Sequence, residues 1–139
     1  LRMHWDGNLI IKGILSPEDA IAAADVGADG ISVSNHGGRQ LDSVSSAIAM
    51  LPKVVDAVGS RCEVLVDSGI RSGADVLKAR ALGAKAALIG RPWVYAVAAR
   101  GEAGIVKLMN TFKGEMKVAM ALTGTTNLDD ADGRILDLG

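Results

Sequence analysis

A unit written twice, 56 residues apart, limits what this chain can become more than anything else in it. Gly13, Ile14, Ser16 and Asp19 reappear as Gly69, Ile70, Ser72 and Asp75, and Ala23, Gly27 and Ala28 reappear as Ala79, Gly83 and Ala84. In the first copy, Ser16-Pro17-Glu18-Asp19 reads as a helix start. Serine is the N-cap, proline takes the first helical position, where its missing N–H costs nothing, and an acid stands three residues after the cap. Gly27 closes that helix, since glycine turns into the left-handed region without strain. Ser72, Asp75 and Gly83 repeat the logic. Four short apolar, β-branched runs accompany these helices: Asn8 to Gly13, Gly30 to Asn35, Cys62 to Ser68 and Ala86 to Gly90. They run continuously apolar rather than alternating, as strands covered on both faces do. Helix caps alone also suit two unrelated strand–helix units, but the run of matches at a single offset favours repetition. A βα module repeated with short loops predicts an α/β fold, either a barrel or a doubly wound parallel sheet.

The remaining segments fill in that frame. Val44 to Val58 reads as a further helix, which Pro52 is expected to kink or split. Glu102 to Leu122 places Ile105, Leu108, Met109, Phe112, Met116, Ala119 and Met120 on one stripe, with the methionines as core filler. Residues 123–139 are polar and turn-rich, and are expected to be a loosely packed tail with no assigned role. The 139 residues are one domain's worth, 49% apolar but only 3% aromatic, a balance that suits packed parallel strands and helices. A formal net charge of −1 gives no argument for nucleic acid. The single cysteine, Cys62, excludes an internal disulfide framework and fits a reducing compartment. It begins a strand, away from the strand carboxyl ends, and reads as a small buried hydrophobe. No run of about 18 apolar residues is present. The first residues show neither a signal-peptide pattern nor an initiator methionine, so the chain is expected to be a fragment or one piece of a nicked protein.

Parallel β/α proteins carry their chemistry on the loops at the carboxyl ends of the strands. All four ends here are polar or glycine-rich: Lys12-Gly13, then Ser34-Asn35-His36-Gly37-Gly38-Arg39-Gln40, then Asp67-Ser68-Gly69-Ile70-Arg71, and last Gly90-Arg91. His36 suits a general base, because imidazole titrates near neutrality. Arg39 offers a planar fork that matches a carboxylate. The same loop also suits a histidine capping a neighbouring carbonyl beside a solvated arginine. A Gly-Arg pair alone is as readily a surface arginine; two on adjacent strand ends favour phosphate, with Gly90 and Arg91 at a helix N-terminus and Arg71 as a second cation. His4 reads as a linker residue and Trp93 as a packing residue. No Cys/His cluster has metal-ligand spacing, so no metal is predicted.

The stretch from Ser34 to Gln40 resembles the signature of the FMN-dependent L-2-hydroxy acid oxidases and dehydrogenases. The resemblance runs from Trp5-Asp6-Gly7 and Lys12-Gly13 to Thr123-Gly124. In Trp5 to Ile14 and in Gly114-Glu115-Met116-Lys117-Val118-Ala119-Met120 the wording is most similar to the bacterial L-lactate dehydrogenases. It implies the last four βα units of a (β/α)8 TIM barrel, with residues 1–139 as one half-barrel. It implies FMN as cofactor and a small L-2-hydroxy acid, L-lactate first, as substrate. His36 matches the family's proton acceptor and Arg39 the residue that grips the substrate carboxylate. Lys12 matches the lysine beside the flavin N1 and C2 carbonyl, and Ser34 a hydroxyl that contacts the flavin. Asp67 matches the residue holding ribityl hydroxyls, while Gly69 lets the backbone approach, and Arg71, Gly90 and Arg91 match the phosphate clamp. The family's N-terminal half supplies a tyrosine, further flavin contacts and the acid that orients the base. That half is therefore the expected partner, alongside homo-oligomers and no nucleic acid. The expected location is the cytoplasm, any peripheral attachment to the inner membrane being made through the half absent here. Two unpaired strand edges predict that the polypeptide alone is unstable or self-associating. A flavin-free phosphate-binding β/α barrel enzyme and a non-catalytic flavin-binding fragment are the alternative readings.

Overall fold

The structure, a computed structural model, describes residues 2–137. Strand and helix alternate through the chain: β1 (Ile10–Ile14), α1 (Pro17–Asp25), β2 (Gly30–Val33), α2 (Ala47–Val58), β3 (Glu63–Val66), α3 (Gly73–Ala81), β4 (Ala86–Ala87) and α4 (Arg91–Thr123). The four strands form one parallel sheet in the order β1-β2-β3-β4. A doubly wound sheet reverses its strand order at a switch point, whereas a barrel adds each strand beside the last. The unbroken order is that of a barrel segment.

The two halves of the sequence repeat have the same local geometry. Ser16 and Ser72 each cap their helix by accepting the N–H three residues on, from Asp19 and Asp75. Gly27 and Gly83 end those helices at φ 85° and 97°, and Gly13 and Gly69 leave β1 and β3 at φ 99° and 96°. These are left-handed conformations that a side chain resists. At Gly13 the β1–β2 register shifts between Lys12 and Ile14, a bulge at the strand end that carries Lys12.

The helices cover one face of the sheet. Ile31, Val33, Val64 and Val66 point into them and pack with Ala20, Leu51, Val54, Val58 and Phe112. Burying a side chain of this size stabilises by about 1.5–3 kcal/mol. The other face differs from the expectation of strands covered on both sides. Only β2 is buried at every residue, while β1 is mostly exposed, with Ile10 53% accessible, and Leu88, just past β4, is 42% accessible. The physical reason is that β1 is an edge strand, paired on one side only, whereas β2 is flanked by β1 and β3.

Proline does not split α2. Pro52 removes the bond to the Ile48 carbonyl, yet Leu51, Val54 and Val58 anchor the helix on the sheet at both sides of it. The last helix begins at Arg91 and bends at Arg100–Gly101, where Gly101 takes φ 55° and ψ −137°. Of the expected stripe, Phe112 is buried and Met109 is 44% exposed. Helices α3 and α4 meet closely at Gly73, where an added Cβ would lie 2.0 Å from the Phe112 carbonyl oxygen. The Glu115 carboxylate accepts the Gly73 N–H at 2.7 Å, so α4 caps the start of α3.

The segment expected as a loose tail, residues 123–139, forms two short 3-10 turns, Leu128–Asp130 and Gly133–Ile135. Asp129 pairs with Arg80 of α3 at 2.9 Å and Ala131 is buried. Residues 138 and 139 lie outside the described residues. At the other end Arg2 bonds the Gly27 carbonyl and the Asp29 carboxylate, stitching the segment that holds His4 beneath the start of β2. Cys62 immediately precedes β3, half-buried, and burial pushes its thiol pKa up. No described helix is long and apolar enough to cross a membrane.

Candidate active site

The carboxyl ends of the four strands surround a single cleft of about 640 Å³. Of the residues singled out in the sequence, Lys12, His36, Arg39, Asp67, Gly69, Arg71, Gly90 and Arg91 all line it. Ser34 lies just beneath the lining, 2% exposed. Among the described residues four Lys or Arg side chains face the cleft against one carboxylate, so it favours an anion.

The floor is a hydrogen-bonded cluster around Asp67. Its register follows from strand alternation: Lys12 pairs with Ser32 across β1–β2, so the residues two further on, Ser34 and Asp67, continue the same face at the strand ends. Lys12 Nζ lies 2.5 Å from Asp67 Oδ2 and donates to Ser34 Oγ at 2.9 Å. Ser68 Oγ donates to Asp67 Oδ1 at 2.6 Å. Burial works to raise the Asp67 pKa, but hydrogen bonds from Lys12, Ser34 and Ser68 outweigh it and hold the carboxyl below its ordinary range. Asp67 is thus a stable anion and Lys12 its cation.

The His36 loop is wound tightly over this floor. His36–Gly38 form a 3-10 turn in which Asn35 Oδ1 accepts the Gly37 N–H. His36 itself sits at φ 54°, a conformation costing a residue with a side chain of order 1–3 kcal/mol. The turn is held in place from outside: Ser34 Oγ accepts the His36 N–H and Ser68 Oγ accepts the Gly37 N–H, both at 3.0 Å. The imidazole and the Arg39 guanidinium are left exposed toward the cleft. The arrangement can accept a proton beside a bound carboxylate.

The opposite wall carries groups that could hold an anion. Helices α1, α2 and α3 each begin on a serine whose hydroxyl caps a backbone N–H, whereas α4 begins on Gly90 with no side-chain cap. An uncapped N-terminus presents N–H donors and the positive end of the helix dipole. An added Cβ at Gly90 or Gly69 would meet nothing within 4 Å, so a ligand can approach the backbone at both. By contrast, the start of α3 is occupied by Glu115, and the Arg71 N–H by Asp75. The uncapped N–H donors therefore lie at the start of α4, with the Arg71 and Arg91 side chains on the cleft wall.

Sequence reasoning passed over Ser68 and Tyr95. Ser68 stands inside a loop whose other residues drew the attention. Tyr95 lines the cleft from α4, four residues after Arg91 and so on the same helix face, a spacing that was available to find it.

Comparison with known proteins bears on this geometry. The family model described as FMN-dependent dehydrogenase matches residues 1–138. An L-lactate dehydrogenase of Caulobacter sp. (strain K31) is 58% identical over 136 residues, covering 98% of this chain and 36% of that protein. One from Pseudomonas syringae pv. syringae (strain B728a) is 54% identical over the same span. A solved structure of a mandelate oxidase variant with a monooxide FMN adduct superposes with a TM-score of 0.90 at 53% identity, covering 94% of this chain and 41% of that one. The mandelate oxidase structure with benzoyl-formic acid gives 0.89 at the same identity. The chain spans a little over a third of the length of the curated relatives it matches.

Proposed function

The chain belongs to the FMN-dependent dehydrogenase family, and from that premise we propose that it carries the proton acceptor, the carboxylate anchor and the flavin phosphate site of an enzyme oxidising an L-2-hydroxy acid, L-lactate, to the 2-oxo acid. One observation supports this most: a single cleft gathers His36 and Arg39 on one wall, Arg71, Gly90 and Arg91 on another, and Lys12 with Asp67 on its floor.

The residues fit a flavin mononucleotide. The uncapped start of α4 with Arg71 and Arg91 suits its phosphate, Gly69 leaves room beside the backbone, and ionised Asp67 suits the ribityl hydroxyls. When bound, FMN supplies the two-electron acceptor that no amino-acid side chain provides. The protein's own residues do the rest. Arg39 pairs with the substrate carboxylate through its planar fork and so sets the orientation of the hydroxyl-bearing carbon. His36 takes a proton from the substrate, as an imidazole placed at the reacting carbon can do. Lys12, fixed by Asp67 and Ser34, places a positive charge on the floor, where it stabilises negative charge developing on the cofactor.

The test uses the purified, full-length protein. It is expected to be yellow and to bleach anaerobically with L-lactate. His36→Ala is expected to keep the colour and lose the bleaching, by a factor of about 10²–10⁴ for removal of a general base. A protein that takes up no FMN, or an alanine variant reduced at the unchanged rate, refutes the reading.

A further inference from the structure

Ser68 has no part in the reaction just described, yet its backbone and its hydroxyl are both committed. The residue sits at φ 71°, where glycine is unstrained and serine is not. Its one hydroxyl proton goes to Asp67 Oδ1 at 2.6 Å, which leaves a lone pair for the Gly37 N–H at 3.0 Å. That N–H is shared with Asn35 Oδ1 at 2.9 Å. The two acceptors do different things. Asn35 belongs to the same turn and shapes it, whereas Ser68 stands on the neighbouring strand end and sets where the turn sits against the floor. Ser34 treats the preceding amide in the same way, accepting the His36 N–H at 3.0 Å while also bonding Asp67. Two consecutive amides therefore hang from two serines, and both serines are anchored on one carboxylate. A side chain kept at a position that glycine would occupy without strain is explained by the need for its hydroxyl.

We infer that Ser68 is a positioning residue, which through the Gly37 amide holds the His36 imidazole where the substrate's proton is delivered. The inference rests on the reading of His36 as proton acceptor. It assigns Ser68 no contact with the reacting atoms.

Two variants of the intact, flavin-loaded enzyme separate positioning from folding. Ser68→Gly and Ser68→Ala both lack the hydroxyl, but only glycine is relaxed at this φ, so the glycine variant is the more stable. If Ser68 served folding alone, activity would follow stability and the glycine variant would keep the wild-type rate. Positioning predicts that both lose kcat together, roughly fivefold for one neutral hydrogen bond, with KM for L-lactate unchanged because Arg39 is untouched. A second readout needs no substrate. Amide hydrogen exchange over residues 36–38 of the flavin-free protein rises in both variants. A glycine variant with wild-type kcat overturns the inference, and so does unchanged exchange over residues 36–38 in both. Failure of the proposed function looks different: wild type binds FMN but no 2-hydroxy acid reduces it. The exchange measurement then still decides whether Ser68 pins the turn.

Discussion

Replacing Asp67 with asparagine removes one charge and leaves the shape of the cleft floor intact. The carboxylate is 15% exposed and accepts from Lys12, Ser34 and Ser68, while Lys12 is 46% exposed. Hydrogen bonds to a charged group contribute about 1.5–3 kcal/mol each when well sheltered. The Lys12 contribution is to be discounted toward about 1 kcal/mol, because nearly half of that side chain stays in water and is screened. Asparagine keeps one acceptor oxygen, so one serine bond survives and the other serine meets an N–H₂ group. The expected loss is about 2 kcal/mol at pH 7 in the flavin-free protein. The pH dependence gives the sharper check. A depressed folded pKa means that the unfolded chain binds the proton more readily, so the stabilisation is fully present above the ordinary value of 3.8 and is lost as pH falls through the folded pKa. Urea melts of wild type and Asp67→Asn are expected to differ by a constant amount from pH 7 down to about pH 5 and to converge in more acid solution. A difference that stays constant into strong acid, or no difference at neutrality, refutes the account of the floor as an ion pair with hydrogen-bonded support.

Three further substitutions probe the packing and the cleft. Gly73→Ala puts a methyl 2.0 Å from the Phe112 carbonyl oxygen and 2.5 Å from the Met116 nitrogen, so α3 and α4 must separate; thermal melts are expected to show a loss of about 3 kcal/mol. Leu51→Ala empties a fully buried position between α2 and the sheet and is expected to cost about 2–5 kcal/mol by urea titration. Arg91→Ala is expected to weaken FMN binding about 10- to 100-fold, the range of one charge-assisted hydrogen bond, while riboflavin, which lacks the phosphate, binds unchanged. Equal weakening of both flavins by fluorescence titration would remove Arg91 from the phosphate site.

Local chemistry was legible in the residues. Serine caps at Ser16 and Ser72 and the left-handed glycines at Gly27 and Gly83 announced where two helices start and stop, because capping and positive φ depend on a few consecutive residues. The apolar runs located four strands for the same reason, and the Ser34–Gln40 loop carried its family resemblance in contiguous order. Strand lengths were less well marked: β4 has two residues where the pattern suggested five. Side-chain chemistry cannot say where the ladder stops once the neighbouring edge is open.

Other properties were decided only by packing. Nothing local distinguishes a barrel from a doubly wound sheet; the order β1-β2-β3-β4 does, and it arises from how each βα unit docks on the last. Pro52 argued for a break that tertiary anchoring of α2 overrides. At the start of α3 the Gly73 N–H is taken by Glu115, 42 residues away, a cap that no local pattern announces. Ser68 likewise shows its purpose only when Gly37, 31 residues distant, is brought to its hydroxyl. Capping and turns are settled within a few residues, where sequence and geometry are nearly the same statement. Competition for a donor or a cleft is settled between distant segments, and only the folded chain brings those together.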